Sequence, residues 1–428
     1  MARKRRKRGS RKHSRRRIRR RRPRSRRRKP RRKKRRPRRR RQIKRRSRKR
    51  RLRRSIRRRR RKKRQTKRSQ RAISIGIELE SYSISIPDFR ISREILFPRR
   101  GIAEKGERFT KDVSIGSEYN SRVFYTVREA FFLLKNGLRK YIHYRSTPQA
   151  RERHTLFPIG GWTDRFAGTH IHVALGKKKF DFRRARSLAR RIHNHIPFLI
   201  ALSGNSPVWR GRVNQIHSNR LLRGTKTYCQ VTREGLLYRH RYRELTYNEG
   251  GKRKPPTLEI RVLDSGVPEY ILAAVCMVKA IALRWLQKKP AFNQLTYDDY
   301  MEARDQAVRF GPEAKLYWNH HALTVPQYAD LFFRKHQDEL EQLEIPDEII
   351  DIFKYLKRGW SQSNLIRRAA QKSRWHHLPT WERRFARRYA AAIESLLDGN
   401  SYTDFARLLG VKLPNIDRTW LGYKDSKW

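Results

Sequence analysis

The chain has 428 residues, with 112 Lys or Arg against 37 Asp or Glu and a net charge of +75. Two cysteines, Cys229 and Cys276, exclude a disulfide framework and have no metal-ligand spacing. The longest apolar run, Ile271 to Leu283, is interrupted by Lys279 and is too short to cross a bilayer, which excludes a membrane span.

Residues 1–71 hold 50 of the basic residues and no acidic one, and their apolar side chains are few: Met1, Ala2, Ile18, Ile43, Leu52 and Ile56. So little apolar surface cannot offset chain entropy, and the segment is expected to be a disordered tail. The basic stretch is followed by no apolar h-region, so it does not read as a secretory signal. Arginines such as Arg5, Arg15, Arg27, Arg38 and Arg58 would neutralise phosphates and release condensed counterions. No recognition element is interleaved, so the expected partner is nucleic acid bound without sequence preference, DNA or RNA. The bland alternative is a solvated linker or a localisation tag, with the run Arg36-Pro37-Arg38-Arg39-Arg40-Arg41 serving nuclear import. The expected location is intracellular and nucleic-acid associated: nucleus, nucleoid or viral particle.

Residues 72–428 carry the remaining 62 basic residues against all 37 acidic ones. Alternation predicts a strand over 72–80 and a second alternating run at Tyr82–Ile86, stopped by Pro87. Val127, Ala130, Phe131 and Leu134 recur at helical spacing over 126–138. A strand around His170 follows, then a helix over 182–202 with a break near Pro197, then a strand around Glu259 and a buried helix over about 270–287. Beyond it the pattern is helical, clearest at 331–343, 348–356 and 381–397. Strands early, helices late and no βαβ alternation predict an α+β fold with a largely antiparallel sheet.

Three strands share one design. Ile75-Gly76-Ile77-Glu78-Leu79-Glu80, Thr169-His170-Ile171-His172-Val173 and Leu258-Glu259-Ile260-Arg261-Val262 each alternate aliphatic with charged or imidazole residues. Residues two apart on a strand share a face. One sheet containing all three would gather Glu78, Glu80, His170, His172, Glu259 and Arg261, a set suited to divalent metal and phosphate. Singly, each reads as an ordinary amphipathic strand with a solvated face. Together they hold only metal- or phosphate-competent groups.

The first of these strands resembles the opening strand of carboxylate–amine ligases of the glutamine-synthetase fold, within which type 2 glutamate–cysteine ligases and the amidoligases are most similar. Gly168-Thr169-His170-Ile171-His172 resembles their G-x-H-x-H strand, and Ala201-Leu202-Ser203-Gly204-Asn205-Ser206-Pro207 with Ser218-Asn219-Arg220 resembles the A-L-S-x-N-S-P and S-x-R segments. Leu258-Glu259-Ile260-Arg261 with Asp264, Pro268 and Tyr270 is similar to E-x-R…D…P-x-Y. Ala303 to Gly311 is similar to a late helix-and-turn motif, and Asp112-Val113-Ser114 with Glu118 to the D-x-S…E segment of amidoligases. The resemblance covers about residues 72–315, leaving a basic tail over 1–71 and a helical extension over 316–428 packed on the core.

The resemblance implies amide formation driven by ATP through an acyl phosphate, with carboxylate and amine substrates and Mg²⁺ or Mn²⁺. It implies Glu78, Glu80, Glu118 and Glu259 as metal ligands together with His170, leaving His172 beside the nucleotide or behind the ligands. Arg261 would face the transferring phosphoryl group, where a guanidinium fork matches phosphate oxygens. Arg220 is a second candidate for phosphate or substrate carboxylate, against the alternative of a structural ion pair. Two other readings stand beside the ligase: a packaging protein whose ligase-like body is a non-catalytic scaffold, and a metal-dependent nuclease or nucleotidyltransferase. The acid, the amine and the oligomeric state stay open.

Overall fold

Ile73, Ile75, Ile77 and Leu79 leave the even positions to small or charged residues, and this alternation forms the central strand, β1 (Ile73–Ile86). The computed structural model describes residues 71–416 except 94–102, 104, 113, 144–152, 176–179, 226, 228, 233–236, 240–242, 252–253 and 375–380. The tail arginines Arg5, Arg15, Arg27, Arg38 and Arg58 lie outside the described residues, which all belong to one compact unit.

The other early strands are β2 (Ile91–Ser92), β3 (Arg108–Thr110), β4 (Ser117–Asn120), β5 (Arg153–Phe157) and β6 (Gly168–Leu175). They are followed by β7 (Val208–Trp209), β8 (Arg212–Val213), β9 (Tyr238–Arg239), β10 (Leu245–Asn248) and β11 (Thr257–Asp264). Nine of these eleven form one sheet in the order β3-β4-β1-β6-β11-β10-β9, with β2 and β5 pairing the far part of β1. Its pairings are antiparallel apart from β9 with β10. The two alternating runs expected at 72–80 and 82–86 are one strand. Between Leu79 and Tyr82 the apolar phase shifts by one residue, and there β1 exchanges its neighbours β4 and β6 for β2 and β5. A shift of one residue moves apolar side chains to the opposite face, so the two parts of β1 bury opposite sides.

The helices are α1 (Val127–His143), α2 (Phe182–His193), α3 (Ile196–Ser203), α4 (Asn219–Arg223), α5 (Pro268–Leu286) and α6 (Tyr297–Phe310). After the hairpin β12 (Lys315–Trp318) and β13 (His321–Thr324) come α7 (Val325–Lys335), α8 (Gln337–Leu340), α9 (Asp347–Lys357), α10 (Gln362–Arg374), α11 (Trp381–Leu397) and α12 (Tyr402–Leu408). The architecture is α+β with a large, mainly antiparallel sheet. Every residue of α5 from Pro268 to Arg284 is buried, as expected for a helix that is apolar all round. It packs against α1, α2, α3 and α9. Lys279, which interrupts its apolar run, donates from Nζ to the carbonyls of Ile73 and Tyr125, both at 2.9 Å.

Two helix boundaries differ from the pattern. The helix expected over 182–202 breaks at Asn194 and His195, and Pro197 falls in the first turn of α3, where its missing N–H costs nothing. The segment expected as a helix over 331–343 is divided at His336 between α7 and α8. The C-terminal helices lie against the sheet: Phe157 on β5 meets Tyr389 edge-on at 4.6 Å between ring centres, and Trp162 stacks on Phe385 at 5.4 Å.

Candidate active site

Strand register brings the three patterned segments together. β6 lies between β1 and β11, with Glu78 opposite His170, and His172 opposite Gly76 on one side and Glu259 on the other. On the other edge of β1, Glu80 lies opposite Glu118 of β4. The aliphatic positions between them are buried in the core, which fixes the register and holds the charged face outward from the helices. The β6–β11 register shifts between Ile260 and Leu263, while on the other edge of β11 the Arg261 N–H continues the ladder to the Glu244 carbonyl at 3.0 Å. Irregular pairing of this kind commonly re-aims a side chain beside a functional site.

Two groups of ligand atoms result. In the first, single ligand atoms of Glu78, His170 and Glu259 lie within 4.8 Å of one another. His170 Nδ1 is 3.4 Å from both Glu78 Oε2 and Glu259 Oε1. In the second, Glu80, Asp112 and Glu118 meet the same limit. His170 joins the two groups, with Nε2 3.6 Å from Glu80 Oε1. His172 Nε2 is 3.3 Å from Glu78 Oε2, and its Nδ1 is 3.1 Å from Thr257 Oγ1. Arg261 donates to Glu259 and approaches His170 Nδ1 at 3.4 Å. Glu78, His172, Glu259 and Arg261 line a cleft of about 840 Å³, whose walls include Arg108, Asn120, Asn248 and Lys254.

The electrostatics suit a cation. Burial opposes ionisation of Glu78, but its contacts with His170 and His172 outweigh burial and hold the carboxyl well below the usual range. Glu259 is also lowered, because His172 and Arg261 offset its burial. Burial and then the Arg261 charge push His170 down to about 4, leaving a neutral imidazole, the form that ligates metal. Burial works against a charged His172, yet Glu78 and Glu259 raise it. In the second group, burial and the Asp112 charge push Glu80 up to about 8. Burial and the Glu78 charge raise Glu118. A divalent ion would relieve that crowding of carboxylates. His170 Nε2 is buried with no hydrogen-bond partner, a second sign that the donor set fits a cation.

Asp112 is a ligand-competent residue that neither the strand pattern nor the expected ligand set singled out. It sits in a turn, where its Oδ1 accepts from the N–H groups of Ser114 (2.7 Å) and Ile115 (3.1 Å). Its only sequence signal was the D-x-S…E segment.

Arg220 is placed differently from a phosphate-facing group. It is 1% exposed, and both terminal nitrogens donate to the Arg261 carbonyl at 3.1 Å. It stands 3.9 Å from Asp264, which accepts from Asn205 N–H (2.8 Å), Ser206 Oγ (2.7 Å) and Ser218 Oγ (3.0 Å). The segments around 205, 218 and 264 therefore meet in one buried polar node behind the site, and Arg220 braces the backbone that carries Arg261. Gly168 makes room for it, since a Cβ there would lie 2.3 Å from Arg220 Nη2. The Gly168 N–H also donates to Glu80 Oε2 at 2.5 Å. We expect Gly168→Ala to cost about 1–3 kcal/mol of stability by overpacking this node, read as a lower urea midpoint. An unchanged midpoint would show that Arg220 can move aside freely.

Known proteins are similar to this chain in sequence or in fold. Residues 144–237 match the family model described as Glutamate-cysteine ligase family 2 (GCS2). A protein of Rubrobacter xylanophilus that carries the provisional name glutamate–cysteine ligase 2-3 is 31% identical over 183 residues, 37% of this chain. The matched stretch spans about half (47%) of that relative's length. The crystal structure of a bifunctional glutathione synthetase from Pasteurella multocida superposes with a TM-score of 0.50 at 12% identity, over 79% of this chain and 56% of that one. A crystal structure of the prokaryotic ubiquitin-like protein Pup with its ligase PafA gives 0.49 at 14% identity, over 84% and 80% of the two chains. No helix among the described residues is long and apolar enough to cross a membrane. Over residues 144–237 the chain is thus similar to glutamate–cysteine ligase family 2, and the fold of its body is similar to that of the bifunctional glutathione synthetase.

Proposed function

We propose that the protein is an ATP-dependent ligase that joins a carboxylate to an amine, in a γ-glutamyl-type amide, through an acyl phosphate. The observation that carries this reading is the pair of adjoining ligand groups, Glu78–His170–Glu259 and Glu80–Asp112–Glu118, on one sheet face beside Arg261. A carboxylate attacking a phosphoryl group brings two anions together, so the site must neutralise charge and align the reactants. Glu78, His170 and Glu259, with Glu80, Asp112 and Glu118, would hold Mg²⁺ or Mn²⁺, which would supply positive charge to offset that repulsion. Arg261, paired with Glu259 and braced through its carbonyl by Arg220, presents a guanidinium to the transferred group. The carboxylate oxygen bonds to the γ-phosphorus as ADP leaves. The amine nitrogen then bonds to the acyl carbon as inorganic phosphate leaves, and the ammonium proton passes to water or a nearby carboxylate. The match to glutamate–cysteine ligase family 2 supports this chemistry.

The test is ADP release from ATP with pooled amino acids and Mg²⁺, followed by mass spectrometry for a new amide. Amide formed in step with ADP supports the ligase. Absence of both across the pool leaves the packaging reading, with the body as a scaffold.

The tail adds a tether to nucleic acid, supported by 50 basic residues without one acidic residue over 1–71. Deleting it is expected to remove most duplex affinity and to flatten the steep fall of affinity with salt, while the melting temperature and ATP turnover stay near those of the full chain. Equal duplex binding by both forms would contradict the tether.

A further inference from the structure

Four arginines stand in the first two turns of α11: Arg383, Arg384, Arg387 and Arg388. Arg383, Arg387 and Arg388 are exposed and Arg384 is half-exposed, while Phe385, Ala386, Tyr389 and Ala390 around them are buried. For the helix alone this arrangement is unfavourable. Cations near a helix N-terminus oppose its macrodipole. The pairs Arg383–Arg387 and Arg384–Arg388 also place like charges one turn apart. Surface cations elsewhere in the body are paired, as Arg309 is with Asp305 and Arg407 with Asp404. Among the described residues none of the four has a carboxylate partner. The acids of the same helix are engaged elsewhere. Glu394 pairs with Arg153, and Glu382 turns to the loop at Gly211, where an added Cβ would lie 2.7 Å from its Oε1. Proteins break local rules of this kind at functional sites.

The end of α10 extends the charged ridge. Lys372 Nζ donates to the Gly410 carbonyl at 2.7 Å, and Arg388 flanks the same glycine, its Nη1 3.4 Å from where a Cβ would stand. Arg374 lies over the ring of Trp381, the first residue of α11, at 5.8 Å. No residue of this ridge lines the active-site cleft.

We infer that α11 and the end of α10 form a nucleic-acid contact on the folded body, separate from the tail, and that its partner is the phosphate backbone of duplex DNA. Guanidinium forks match phosphate oxygens, and an open ridge suits a polymer with repeating charge. Successive helix residues stand about 100° apart, so Arg383–Arg387 and Arg384–Arg388 form two rows that diverge by about that angle. On a helix about 10–12 Å across with its side chains, the two rows spread on the order of 10 Å. The major groove of B-form DNA is about 12 Å wide, so each row faces one of the phosphate strands that border it. The deep, narrow major groove of A-form RNA does not admit side chains in this way. Bound phosphates supply the counter-charge that α11 lacks. Backbone contacts carry no base reading, so the contact is independent of sequence.

The test is the salt dependence of binding by the full-length chain to a DNA duplex and to an RNA duplex of equal length. Each phosphate contact adds about 0.9 to the steepness of log affinity against log salt. In Arg387→Gln/Arg388→Gln the steepness on DNA is expected to fall by about 2, with a smaller fall on RNA. Arg183→Gln/Arg190→Gln removes the same charge from exposed positions of α2 and is expected to bind as wild type. The α11 variant is also expected to match or exceed the wild-type urea midpoint, because it relieves like-charge pairs. Unchanged steepness in the α11 variant overturns the inference, and so does an equal fall in the α2 variant, which would make net charge the cause. A lowered urea midpoint would show that the arginines serve the helix, against the inference. An equal fall on RNA overturns the assignment to DNA. The tail is present in every variant, so failure of this contact is read separately from failure of the tail tether.

Discussion

Glutamine in place of Glu78 is expected to lower ATP-dependent amide formation by a hundred- to a thousandfold, the scale seen when one preorganised electrostatic group is removed from a reacting centre. Glu78 is the carboxylate in contact with both histidines, 3.4 Å from His170 Nδ1 and 3.3 Å from His172 Nε2. Despite burial it is held ionised by those contacts, so it offers a full negative charge to a cation. Glutamine keeps the shape and removes the charge. Its charge also stabilises the fold through those histidine contacts, so the variant is expected to be somewhat less stable than wild type but to keep its fold, with Ile77 and Leu79 still supplying the packing. Turnover is measured under saturating ATP and Mg²⁺ beside a urea melt. Full turnover with an intact fold would remove Glu78 from the reaction.

Alanine in place of Arg304 is expected to have the largest effect on stability, a loss of about 3–5 kcal/mol, because it would leave a buried charge without its partner. Arg304 Nε donates to Glu244 Oε1 at 2.6 Å. The other oxygen of Glu244 accepts from Tyr300 Oη at 2.5 Å and from the Thr232 N–H at 2.9 Å. Glu244 is fully buried, and its carbonyl also receives the Arg261 N–H, so this network ties α6 to the strand that carries the site. Arg309→Ala on the same helix is the control. Arg309 pairs with Asp305 at the surface, where an ion pair contributes at most about 1 kcal/mol. Urea denaturation compares the two variants. Equal losses would mean that the buried network does not stabilise the helix beyond an ordinary surface pair.

The side chains gathered on the sheet face were legible because a strand has a period of two and three separate segments obeyed it. Glu78, His170 and Glu259 needed only that β1, β6 and β11 be neighbours. Asp112 was harder, since a turn has no period and its carboxylate reaches the sheet only after β3 and β4 have paired. Arg220 shows a different limit. Its charge is plain in the sequence, but whether a guanidinium faces a ligand or a carbonyl depends on the chain folded around it, here Arg261 and Asp264. The break expected near Pro197 falls at Asn194–His195, because proline suits the first turn of a helix and Pro197 begins the next one. The continuity of β1 escaped because a one-residue change of apolar phase reads as two strands, and only the change of partner strands shows that one strand continues through it.

The most direct measurement is a titration of the full-length protein and its Glu78→Gln variant with Mn²⁺, followed by the loss of the free-ion electron paramagnetic resonance signal. Wild-type protein should take up Mn²⁺ and hold it more tightly when ADP is added, and the variant should leave most of the ion free. A free-ion signal undiminished by wild-type protein, or equal uptake by the variant, would contradict the account.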